Sequence, residues 1–387
     1  MNTREILGHL VGFDSTSRNS NLDLIRWIGK FLAQRGIDAR LVHDETGTKA
    51  NLWATIGPNA TGGVILSGHT DVVPVDGQAW SSDPFVLTER EGRLYGRGTS
   101  DMKGFVAAAL GAVERFAAAP LARPIHLAFS YDEEVGCHGV RRLLATLDLK
   151  AIQPAACIVG EPTLMRLVTN QKGYLGGRCE IVGFECHSSM APEGVNAIQY
   201  AARIIEWLRQ QTQQHNRAGP FDPRFTPPVT TIHVGTIRGG TASNIVPRDC
   251  GFDFEIRAIP SEDPNGIVED MRRYCSETLE PGMRAVNADC AIRTERLAWG
   301  PALDGDLLSN AARLVRAVTG DNDCLAVAYC TEAGFFYEAG VPTVVCGPGS
   351  IQQAHKPDEF IDVAQLALAD QFMDRLADQL CLPLAAP

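Results

Sequence analysis

Apolar residues recur at helical spacing from the start of the chain: Ile6, Leu7, Leu10 and Val11, then Leu22, Leu24, Ile25, Ile28 and Leu32. That spacing predicts helix across residues 1–35. Asn51–Ile56 and Gly63–Ser67 are short, dense apolar runs and predict strands. An Ala-rich stretch, Lys103–Ala118, predicts a helix, and Ile125–Tyr131 and Ala156–Val159 predict two further strands. Strands alternating with helices imply a mostly parallel sheet covered on both faces.

The pattern changes near Lys172–Gly177. Tyr174–Val182 predicts a strand, Gly194–Gln211 a helix, and 212–228 a polar, Pro-rich loop. Val229–Ile237 and Cys250–Ile259 alternate as strands. Ser261–Thr278 predicts a helix capped by Ser261, and Ala285–Thr294 a last strand. The order β-α-β-β-α-β is the split, ferredoxin-like arrangement. A helix near Gly305–Val318, a strand at Thr343–Cys346 and a helix at Val363–Leu380 then restore the first pattern. The expected architecture is α/β. A mixed, mostly parallel sheet domain sandwiched by helices takes residues 1–173 and 296–387. An α+β ferredoxin-like domain is inserted at 174–295.

Composition narrows the function classes. At 387 residues the chain suits two domains better than one. Its formal net charge of −11 disfavours nucleic acid, which needs a basic face. No apolar run approaches the ~18 residues of a membrane span, and the N-terminus lacks a signal-peptide pattern. The 11 cysteines form no C-x-x-C pair, which argues for reduced thiols in the cytoplasm.

The candidate chemistry lies in short motifs that follow or flank the apolar runs. VILSGHTD (64–71) ends a buried strand with His69 and Asp71. GTSDMKG (98–104), SYDEEVG (130–136), GEPT (160–163) and AHKPDE (354–359) add Asp101, Glu133, Glu134, Glu161 and His355. Open α/β sheets build sites at the carboxyl ends of their strands. Two imidazoles with carboxylates and no grouped thiols suit divalent zinc or cobalt, with manganese also compatible. Three carboxylates and one hydroxide balance two divalent cations, whereas a single cation would leave negative charge buried.

Taken singly, each residue has a plainer reading. A lone histidine is usually structural, Asp101 could cap the following helix, and Glu133–Glu134 could be a solvated pair. Together, in this order, the five segments resemble the M20 family of metal-dependent aminoacyl hydrolases. The phrases DPFVLTEREGRLYGRGTSDMKG, GVNAI, YCTEAG and CGPGSIQQAHKPDEF bring the chain nearest to the acetylornithine deacetylase branch. The resemblance implies two metal ions. His69 and Glu161 would hold one, Glu134 and His355 the other, and Asp101 would bridge them. Asp71 would orient His69, and Glu133 would serve as general base and then acid. His187 would steady the developing oxyanion, and Asn244 and Arg257 would hold the substrate's α-carboxylate. Glu332, in CTEAG, is assigned to a substrate side-chain ammonium because of its loop. The implied substrate is a small N-acyl amino acid, and the implied assembly is a homodimer through the inserted domain.

Overall fold

The computed structural model describes residues 1–382 and divides into two compact units. The first comprises Met1–Asn170, Leu303–Ala326 and residues from Thr331 onward; the second comprises Gln171–Ala302 and Val327–Cys330.

The first unit is built on a mixed sheet. Its strands run in the order Ala39–His43, Ala50–Ile56, Ile125–Ser130, Val64–His69, Ala156–Pro162, Thr343–Gly347, Val168–Gln171 and Leu303–Asp304. The four from Ile125–Ser130 to Thr343–Gly347 are mutually parallel, and antiparallel strands flank them. Val64–His69, Ile125–Ser130 and Ala156–Pro162 are buried along their whole length. Such continuous apolar runs mark strands covered on both faces.

Helices supply the cover. Thr3–Val11 begins with a capping box between Asn2 and Glu5 and buries Ile6, Leu7, Leu10 and Val11. Leu22–Ala33, Gly104–Gly111 and Val363–Leu380 contribute Ile25, Ile28, Phe105, Val106, Phe372 and Leu376 to the same core. One close approach fixes a glycine. A Cβ on Gly160 would lie 1.9 Å from the Phe105 ring, so only glycine lets that ring pack there. Glu161 follows immediately in the chain.

In the second unit the elements are strand Gly173–Val182, helix Ala197–Ala218, strands Thr231–Gly239 and Asp249–Ala258, helix Pro264–Tyr274 with its continuation to Val286, and strand Ala291–Gly300. All neighbouring strands are antiparallel, in the order Thr231–Gly239, Asp249–Ala258, Gly173–Val182, Ala291–Gly300. One face packs on the helices through Leu175, Ile204, Phe252, Phe254, Met271 and Leu279.

Several boundaries differ from expectation. The helix expected to stop at Gln211 continues to Ala218, where Gly219 ends it with φ 74°. Asp263, not Ser261, caps the next helix by accepting from the Asn265 amide, and Pro264 occupies its first turn. The strand expected at 285–294 begins at Ala291, because Glu280–Val286 is still helical. Strand Ala39–His43 was not anticipated. No helix of the described residues is long and apolar enough to cross a membrane.

Candidate metal centre

The four parallel strands bring the motif residues to one edge of the sheet. His69 closes Val64–His69, Glu161 sits near the end of Ala156–Pro162, and Glu133 and Glu134 follow Ile125–Ser130. His355 lies in the loop after Thr343–Gly347, with φ 63°. Asp101 comes from an irregular turn, Thr99–Lys103, entered through Gly98 at φ 83°.

Asp101 stands between the two histidines. Its Oδ1 is 3.0 Å from His69 Nε2, and its Oδ2 is 3.3 Å from His355 Nε2. Glu161 Oε1 lies 3.7 Å from His69 Nε2, and Glu134 Oε2 lies 3.1 Å from His355 Nε2. His69, Glu133 and Glu161 present ligand atoms all within 4.8 Å of one another, as do His69, Asp101 and Glu134. His69, Asp101 and Glu161 are buried, whereas the His355 side chain is half exposed.

His69 is held in one tautomer. Its Nδ1 donates to the backbone carbonyl of Asp71 at 2.9 Å, which turns Nε2 toward the carboxylates and makes it the nitrogen that could face a metal ion. The Asp71 carboxylate was expected to do this, but it lies 3.7 Å from Nδ1. It accepts instead from the Glu133 amide at 3.0 Å, the Glu134 amide at 3.3 Å and Ser17 Oγ at 2.7 Å. Asp71 therefore seats the turn that aims the two glutamates in different directions. Asp132 begins that turn at φ 55°, and its carboxylate is paired with Lys49 Nζ 2.5 Å away.

The electrostatics ask for cations. Burial, reinforced by Asp101, pushes the Glu134 carboxyl up to about 7. Glu133 and Glu161 are raised well above the ordinary range by burial, with further pressure from neighbouring carboxylates. His355 is raised to about 10 by its contacts with Asp101 and Glu134. Burial opposes charge on His69, yet Asp101 and Glu161 outweigh it and raise that group too. Four carboxylates crowded around two imidazoles are a poor arrangement for protons alone and a good one for hard divalent ions. Two oxygens of one aspartate facing two separate His–Glu pairs fit a bridged pair of such ions.

A sequence profile of Peptidase family M20/M25/M40 matches residues 65–379. The chain belongs to this peptidase family. The acetylornithine deacetylase of Proteus mirabilis (strain HI4320) is 36% identical over 377 residues, covering 95% of this chain and 92% of that protein. The acetylornithine deacetylase of Pasteurella multocida (strain Pm70) is 33% identical over 94% of this chain and 92% of its own length. The M20 family metallo-carboxypeptidase Sso-CP2 from Sulfolobus solfataricus has the same fold, with TM-score 0.77 at 19% identity over 98% of this chain and 99% of that one. As an M20 family member most like acetylornithine deacetylase, the chain is a metal-dependent hydrolase acting on amides.

The remaining expected residues fall into two groups. His187, Asn244 and Arg257 all lie in the second unit of this M20 chain. His187 Nδ1 accepts from the Ser189 amide at 3.2 Å and meets Ser189 Oγ at 2.8 Å, which in the neutral ring leaves the proton on Nε2. Asn244 is its neighbour, since its carbonyl accepts from the Ser188 amide at 2.9 Å. The Arg257 guanidinium is 3.1 Å from Glu255 and lies over the Tyr174 ring.

Glu332 departs from its expected role. It is 1% exposed, with Oε1 accepting from Ser130 Oγ and Oε2 from Ser67 Oγ. Burial pushes its carboxyl up to about 7. Both oxygens of this enclosed carboxylate are engaged by serine hydroxyls.

Ser17, Lys49, Arg97 and Glu359 also support the motif segments and had been given no role. Glu359 stands inside the AHKPDEF stretch, so its position was visible although its burial was not.

Proposed function

We propose that this chain removes the acetyl group from N2-acetyl-L-ornithine, giving L-ornithine and acetate. The observation that carries the chemistry is Asp101, with one oxygen toward His69 and the other toward His355. The substrate rests on the two acetylornithine deacetylases that share about a third of their residues with nearly the whole chain.

His69 and Glu161 would hold one divalent cation, zinc or cobalt, and Glu134 and His355 a second, with Asp101 shared. Such ions supply Lewis acidity, acidifying water and polarising an amide carbonyl. Glu133 adds what they cannot. Its carboxylate takes a proton from the attacking water and passes it to the leaving amine, which departs poorly as an anion. The Asp71 carboxylate keeps Glu133 aimed through its backbone amide. His187 donates from Nε2 to the carbonyl oxygen as charge gathers there. Arg257 and Asn244 hold the α-carboxylate, for which a planar guanidinium is suited.

The second unit is read as a ferredoxin-like module through which two chains pair. Its exposed Phe184, Met190, Ile198, Ile237 and Ile245 support that reading, because apolar surface of this kind marks interfaces. None of the 11 cysteines is joined in a disulfide, which suits a reducing compartment such as the cytoplasm.

The test is a panel of N-acyl amino acids and dipeptides, scored for acetate, succinate and free amino acid. Acetylornithine should be cleaved with the highest kcat/KM. Faster release of succinate from N-succinyl-diaminopimelate, or faster hydrolysis of acetylcitrulline or a dipeptide, would replace this substrate with another.

A further inference from the structure

We propose that Glu359 is the positioning residue that sets Asp101 between the two histidines. The inference rests on the reading of Asp101 as a shared metal ligand and concerns what holds it there. Glu359 is 1% exposed, yet it is four residues beyond His355 and belongs to no ligand set. Its carboxylate takes four donors, about as many as a carboxylate can accept. Oε1 accepts from the amides of Ser100 at 2.8 Å and Asp101 at 3.0 Å. Oε2 accepts from the Gly98 amide at 2.9 Å and Arg97 Nη1 at 2.8 Å.

Two successive amides converging on one oxygen fix the peptide plane that leads into Asp101, and with it the direction of the Asp101 side chain. Charge neutralisation of a buried carboxylate would need only Arg97; the three backbone donors are additional, and all belong to the segment that delivers Asp101. The other end of the clamp reaches His355. Arg97 Nη1 also donates to the Lys356 carbonyl at 3.3 Å, and Arg97 Nη2 to Gln78 Oε1 at 2.5 Å. Gln78 Nε2 in turn donates to the His355 carbonyl at 3.0 Å. One buried ion pair therefore ties the Asp101 turn to the His355 loop. These segments lie more than 250 residues apart in the chain, yet each delivers a side chain to the same cluster.

The experiment is calorimetric titration of Zn²⁺, together with the visible spectrum of the Co²⁺-loaded protein. It compares wild type, Asp101→Asn, Glu359→Gln and the pair Arg97→Met/Glu359→Gln. Glu359→Gln should bind the metal pair roughly 10- to 100-fold more weakly, as loss of a supporting partner does, and should shift the cobalt bands. The double variant removes the stranded guanidinium. It should recover the melting temperature of the metal-free protein while keeping the metal defect. Recovery of both would show a purely structural ion pair and overturn the proposal. So would wild-type affinity and spectrum in either variant, or failure of both to fold. Wild type that takes up no stoichiometric metal would instead refute the proposed function, leaving the two failures distinct.

Discussion

The Asp71 carboxylate accepts the backbone amide of Glu133 at 3.0 Å, so one acidic residue aims another through the main chain. Asp71→Ala removes that acceptor and the one serving Glu134. We expect kcat to fall by roughly two orders of magnitude with little change in KM, the pattern of a lost transition-state contribution. Steady-state kinetics beside metal analysis checks this; a change confined to KM would place Asp71 in substrate binding.

Glu133→Gln should retain bound metal and lose turnover by about 10²- to 10⁴-fold, the range for general acid–base groups. The measurement is kcat paired with metal content by elemental analysis. Loss of metal together with activity would make Glu133 a ligand instead.

Much of the first unit was legible because its strands are short apolar runs with chemistry at their ends. The closing helix Val363–Leu380 was legible for the same reason: Leu366, Ala369, Phe372, Met373 and Leu376 repeat at helical spacing. Strand Val168–Gln171 was not, because its sequence VTNQ is polar although every residue is buried. Residues 285–294 fell on a boundary: the helical run from Pro264 continues to Val286, and the strand begins only at Ala291. Arg97, Lys103, Lys172, Glu332 and Glu359 are all about 1% exposed. A pattern of hydrophobic and polar positions assigns such residues to the surface. Only tertiary pairing buries them, and that pairing joins segments distant in the chain. The metal motifs were legible as chemistry; the hydrogen bonds that aim them were not.

Glu332→Gln should leave the preference for cationic over neutral N-acetyl amino acids unchanged. Its cost should appear as stability, about 1–2 kcal/mol, because the carboxamide gives up one of the two acceptor oxygens to which the Ser67 and Ser130 hydroxyls donate. Comparing kcat/KM for acetylornithine and acetylnorvaline decides this, with thermal melts alongside. A selective loss for the cationic substrate would restore the direct contact first expected from the sequence.

His126 makes the protein acid-sensitive apart from its active centre. The ring is buried, stacks on Trp53 with centroids 4.9 Å apart and meets Thr55 Oγ1 at 3.0 Å. Burial lowers its pKa from 6.5 to about 4. The folded state therefore refuses a proton that the unfolded chain accepts below pH ~6.5. Its contribution is intact above that pH and is lost as pH falls toward about 4, by roughly 3 kcal/mol at 1.36 kcal/mol per unit. Melting temperature against pH should fall less steeply for His126→Gln than for wild type between pH 6.5 and 4.5. Parallel curves would contradict this.

His187→Ala should lower kcat with little effect on ground-state binding, since the charge it meets develops only in the transition state. If the residue serves the partner's centre in a dimer, mixing His187→Ala with Glu133→Gln protein should recover part of the activity. Additive, unrecovered activities would confine His187 to its own chain.

The proposed chemistry needs a pair of cations sharing Asp101. Anomalous scattering from crystals of cobalt-loaded protein tests it most directly. Two peaks are expected on either side of Asp101, one against His69 and Glu161 and the other against Glu134 and His355. A single peak, or peaks away from Asp101, would contradict it.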